Sequence, residues 1–80
     1  MCSKASFIAA VISEMLVHYE DEQLEKLKKK LFYTAPELCN HQWSVLYDYV
    51  KEVYKEDQTI CNIYNEGYKN YIKHFVTIYN

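Results

Sequence analysis

The chain contains no arginine, one glycine and one proline among its 80 residues. Without arginine there is no planar bidentate fork, the usual device for gripping phosphate, carboxylate or guanine edges. A single glycine rules out a Gly-built phosphate loop, and so little Gly and Pro argues against a turn-rich β fold. Three cysteines, Cys2, Cys39 and Cys61, are odd in number and lack Cys-x-x-Cys spacing. Neither a disulfide framework nor a zinc knuckle is expected from them, and a reduced, cytoplasmic setting fits best. No stretch approaches the roughly 20 apolar residues of a membrane span. Glu14 interrupts the opening apolar run and no small-residue cleavage site follows it, so that run does not read as a signal peptide. Nine lysines stand against eleven acidic residues, for a net charge of −2, too small to steer the chain toward nucleic acid or an anionic membrane.

What is present favours long helices. Half the residues are apolar, and they recur at helical spacing. The expected fold is all-α: a small up-down four-helix bundle forming one domain over 1–80, with helices at about 4–19, 22–33, 36–55 and 58–79. Short connections between consecutive helices bring them side by side and antiparallel. The stretch from Asp57 to Tyr79 organises this expectation, because its apolar residues fill roughly 220° of a helical wheel, where one packed face needs only about 100°. Gly67 sits within it at a cost of about 1 kcal/mol relative to alanine, and close approach of another helix backbone is the expected reason.

Local signals mark the helix starts. Ser3 is the expected first N-cap, Asp21 the second and Asp57 the fourth. Thr34-Ala-Pro-Glu37 reads as a capping box for the third helix, with Pro36 tolerated in its first turn. The first helix has Ala9, Ala10, Ser13 and Val17 opposite its main apolar stripe, which reads as burial on two sides; an exposed apolar strip is the alternative.

Candidate chemistry is thin. His18, His41, His74 and Cys39 form no i,i+4 ligand pair, so no metal and no cofactor are expected. Glu52 and Glu56 share a face with no concave surroundings, and Cys39 and Cys61 have no histidine at an evident spacing, so no catalytic residue is assigned. Nine tyrosines are the unusual count. Tyr64, Tyr68, Tyr71 and Tyr47 project from apolar arcs, and Tyr49, Val45 and Leu38 form a second line off the third helix's core. Tyrosine anchors binding hot spots, so these seven are the candidate protein-binding residues, for another protein or a second copy. Lys26, Lys28, Lys29 and Lys30 are the alternative, a phosphate-binding patch for nucleic acid; their position in the last turn of a helix also offsets its dipole.

The segment Phe7-Ile8-Ala9-Ala10-Val11-Ile12-Ser13-Glu14-Met15, followed by Gln23-Leu24-Glu25-Lys26-Leu27 and Leu31, resembles the helical lead-in ahead of the core-binding region of some bacterial tyrosine recombinases. Recombinase catalysis requires arginines, and the chain has none, so no catalytic residue carries over. The resemblance implies a relative of a mobile-element protein that keeps a helical interaction region. The function expected is therefore a non-enzymatic adaptor or inhibitor of phage or mobile-element origin.

Overall fold

The computed structural model describes residues 2–76, and the fold is a small all-α up-down bundle of four helices. Helix α1 spans Ser3–Leu16, α2 Glu22–Lys30, α3 Cys39–Val53 and α4 Gln58–Tyr71. Single 3₁₀ turns at Leu31–Tyr33 and Pro36–Leu38 flank the α2–α3 connection, and α4 continues as a π-helical segment over Ile72–Val76. The expected continuation of the last helix through Thr77, Ile78 and Tyr79 lies outside the described residues.

The helix starts follow capping chemistry, with two corrections. Asp21 caps α2 by accepting the Gln23 and Leu24 amides at 2.9 and 3.2 Å, and Asp57 caps α4 by accepting the Ile60 amide at 3.0 Å. At α1 the cap is Cys2, whose sulfur accepts the Ala5 amide at 3.4 Å; Ser3 is already helical. The capping box does not form either. Thr34 donates its hydroxyl back to the Lys30 carbonyl at 3.1 Å, closing the end of α2 rather than opening α3. Pro36 nonetheless occupies the first turn, where its missing N–H leaves nothing unpaired. Helix α1 stops at Leu16, three residues short of expectation, and a turn at Val17 and His18 frees Tyr19 to reach across the bundle.

The centre of the fold is α1 rather than the last helix. It packs against α2, α3 and α4. Ala5, Ile8, Ala9, Val11, Ile12 and Met15 are buried along one broad face. The expected burial on the opposite side is not found: of the residues there only Ala9 is buried, Ser13 is half-buried, and Ala10 and Val17 are exposed, because no helix packs on that side. Leu24 and Leu31 cover it from the α2 side. Trp43, Leu46 and Val50 of α3 and Ile60, Tyr64 and Tyr71 of α4 complete the core.

Gly67 is buried where α4 meets α1, but a side chain, not a backbone, excludes a larger residue. A Cβ there would stand 2.6 Å from Cγ2 and 2.9 Å from Cγ1 of Val11. Valine in a helix holds essentially one rotamer, so the methyls cannot swing away. Overpacking of this kind costs about 1–3 kcal/mol, against about 1 kcal/mol gained from helix propensity. Gly67→Ala is therefore expected to destabilise by about 1 kcal/mol in urea unfolding. The loss should shrink when it is measured in a Val11→Ala background, and a stabilised Gly67→Ala protein would show that the two helices are less closely seated.

Candidate functional site

Seven of the eight described tyrosines fall into three environments; the eighth, Tyr33, is almost fully exposed and stands apart from them. At one end of the bundle the two interhelical turns brace each other. Tyr19, from the α1–α2 turn, donates to Asp57, the cap of α4, while Tyr54, from the α3–α4 turn, donates to Asp21, the cap of α2. Tyr49 adds a third phenol, donating to the Asp21 carboxylate with oxygens at 2.9 and 2.8 Å. The rings pack as well as bond, with Tyr19 and Tyr54 centroids 5.3 Å apart and Tyr49 and Tyr54 6.1 Å apart. Burial raises the pKa of Asp21, but the Tyr54 and Tyr49 hydroxyls and the two cap amides outweigh it and hold the carboxyl below its ordinary range. Asp57 is lowered chiefly by Tyr19 and the Ile60 amide. Burial and then Asp21 push Tyr49 up to about 12, and the same two causes raise Tyr54. Tyr49 was expected on a binding patch; it is instead half-buried in this cluster.

The second environment is interior. Tyr71 is fully buried and donates to Asn40 Oδ1 at 2.9 Å. Tyr64 is 8% exposed and donates to the Trp43 carbonyl at 3.3 Å. Tyr71 thus corrects the candidate list: it supports the α3–α4 face from beneath and has no surface to offer. The Trp43 indole stands among three phenol rings in edge-to-face arrangement, with centroids 5.5 Å from Tyr64, 5.6 Å from Tyr68 and 5.3 Å from Tyr71. That geometry suits the ring quadrupoles.

The third environment is open. Tyr47 and Tyr68 are 43% and 40% exposed. With Tyr64 they form a run of rings, Tyr64 and Tyr68 stacked within 7° of parallel and Tyr47 5.6 Å from Tyr64. These rings line a groove of about 390 Å³ between α3 and α4, together with Asn40, Trp43, Ser44, Asp48 and Asn65. The polar members, Asn40, Ser44, Asp48 and Asn65, are not among the candidates the sequence offers.

A second groove, of about 230 Å³, lies between α2 and α3. Lys26 and Lys30 flank it, and Leu27, Gln23, Val45 and Tyr49 complete its walls. The lysine run is thereby split, since Lys28 and Lys29 do not line this groove. Leu38, half exposed, stands apart from both grooves. Among the described residues no group of three metal-ligating side chains lies together. The three cysteines are free thiols; burial and the Cys2 thiol push Cys39 up to about 11, and the Ala5 amide lowers Cys2 despite some burial.

The fold and this site define a helical bundle with a tyrosine-lined groove on one face. No family, curated protein or solved structure matches the chain. Among the described residues no helix is long and apolar enough to cross a membrane.

Proposed function

We propose that the chain is a protein-interaction module without catalytic activity, working in a reducing, cytoplasmic setting, and that the α3–α4 groove receives a segment of a partner protein. The observation that carries this is the pair of exposed rings, Tyr47 and Tyr68, standing over the rigid floor of Trp43 and Tyr64. Aromatic anchors held in place by buried neighbours lose little side-chain entropy on binding, which is why tyrosine and tryptophan dominate hot spots. The recombinase-like stretches lie in α1 and α2, where Leu24 and most of the α1 stripe are buried and Phe7, Leu16 and Leu27 pack half-buried against the core. The exposed aromatic rings stand on α3 and α4, so the docking face is assigned to those two helices.

Panning a random peptide library on the immobilised protein tests this directly. Selected peptides are expected to bind Tyr47→Ala/Tyr68→Ala at least about tenfold more weakly, because hot-spot truncations cost more than 1 kcal/mol each. Each ring is also held by aromatic neighbours, so the double variant should lose about 0.5–1.5 kcal/mol for each ring pair removed, and binding is compared well below its thermal midpoint, where both proteins are folded. Failure to select any peptide, or equal binding to the double variant, would remove the groove as a docking surface.

A further inference from the structure

Resting on that docking reading, we infer that the α3–α4 groove is built to take an arginine side chain of the partner segment, between the faces of Tyr47 and Tyr68 and against the carboxylate of Asp48. Among the described residues Asp48 is the one charged side chain lining the groove. The rest of the lining among them is phenol rings, the indole, two asparagines and a serine, so they offer π faces, one negative charge and amide oxygens, and no cation. A guanidinium fits that set on every count. It stacks on aromatic faces, carries a delocalised positive charge, and presents several donors in one plane.

The chain itself shows the attraction these rings exert. Lys51 places its ammonium 5.5 Å from the Tyr47 ring centroid, within cation–π range. It does so from outside the groove. Lys51 lines the neighbouring depression along with Lys55, whereas Asp48 lines only the tyrosine groove. The two depressions share Tyr47 and Tyr64 as a common wall, so one side already holds a cation and the other does not. The chain has no arginine of its own to compete for the place.

The peptides selected from the library distinguish this inference from the reading it rests on. Arginine should recur in them, and replacing that arginine with citrulline, which keeps the shape and loses the charge, should weaken binding about tenfold. Asp48→Asn should weaken the arginine peptide about fivefold and leave the citrulline peptide unchanged, with raised salt acting in the same direction. Trp43 is the only tryptophan and lies in the groove floor, so its emission follows each titration. Peptides that need Tyr47 and Tyr68 but carry no recurrent arginine, or that bind equally as citrulline forms, would overturn the arginine site and leave the docking face standing. Peptides insensitive to Tyr47 and Tyr68, or no peptides at all, would overturn both. A dimer in light scattering that the Tyr47→Ala/Tyr68→Ala protein cannot form would put a second copy of this chain in the groove, and would equally overturn it.

Discussion

Replacing Asp21 with alanine is expected to cost about 3 kcal/mol of folding free energy and to lower the thermal midpoint by more than 10 °C, at about 4–8 °C per kcal/mol in a domain of this size. The loss has two parts. Removing an aspartate N-cap leaves the Gln23 and Leu24 amides without their side-chain acceptor, which costs about 1 kcal/mol. Removing the carboxylate also takes away the common acceptor of Tyr49 and Tyr54. Hydrogen bonds to a charged group contribute about 1.5–3 kcal/mol each when buried. Both phenols are only half-buried and can turn partly to water, so each bond contributes about 1 kcal/mol, which with the cap gives the total of about 3. Asp21→Asn keeps a capping oxygen and a neutral acceptor, and should cost about half as much. Tyr54→Phe should cost less than Asp21→Ala, because it removes one bond and leaves the cap intact. If Asp21→Ala unfolds no earlier than Tyr54→Phe, Asp21 is not the shared anchor.

The same cluster sets the pH range of the fold. Asp21 and Asp57 have folded pKa values below their unfolded ones. Their contribution is thus complete above the unfolded carboxylate value near 4, and is lost as pH falls through the folded values. The tyrosines act with the opposite sign. Tyr49 and Tyr64 are raised to about 12, and Tyr19, Tyr54 and Tyr71 are raised as well. Their contribution is complete below the unfolded tyrosine value near 10 and is lost as pH rises from there toward 12. Unfolding in alkali, followed by circular dichroism beside phenolate absorbance at 295 nm, should therefore be steep over that interval, with the two signals changing together.

Much of this fold was legible because its signals are local. Helical periodicity located all four helices, and the caps at Asp21 and Asp57 followed from one residue type in one position. What was not legible depends on partners far along the chain. A wheel shows that Tyr49 stands off the core arc of its helix, and an off-arc tyrosine reads as surface. Its hydroxyl bonds to Asp21, 28 residues away, and no periodicity encodes that. A weaker signal was available. Both interhelical turns place a tyrosine just ahead of a capping aspartate, Tyr19 before Asp21 and Tyr54 before Asp57, and each donates to the other turn's aspartate. The central position of α1 was obscured for a related reason: Ala5 and Ala9 are too small to weigh on a wheel, yet their size is what lets neighbouring helices come close. For the groove, the sequence identified the rings but not the difference between Tyr71 beneath and Tyr47 and Tyr68 above, since each sits on the apolar arc of its own helix and only packing separates them.

Trp43 joins the core to the groove, and its replacement by alanine is expected to remove most of the stability. The indole is 1% exposed and is the largest of the fully buried side chains. Truncating a buried tryptophan to alanine costs about 3–5 kcal/mol, the upper part of the range applying where the surroundings cannot collapse into the space. Here Tyr64 and Tyr71 are fixed by hydrogen bonds to the Trp43 carbonyl and to Asn40, so their rings resist moving into the void. An 80-residue domain has about 4–12 kcal/mol in all. The alanine variant should lose its cooperative thermal transition or melt close to room temperature. Phenylalanine should behave differently. The indole Nε1 is buried without a hydrogen-bond partner among the described residues, a state that costs about 1–3 kcal/mol. Trp43→Phe removes that donor while keeping an aromatic ring against Tyr64, Tyr68 and Tyr71, so the lost volume is partly offset and the net change should stay within about 1.5 kcal/mol. Urea unfolding of the two variants beside the parent decides it. Were phenylalanine as damaging as alanine, the N–H would have a partner after all, and the indole would be held by that bond rather than by its packing among the tyrosines.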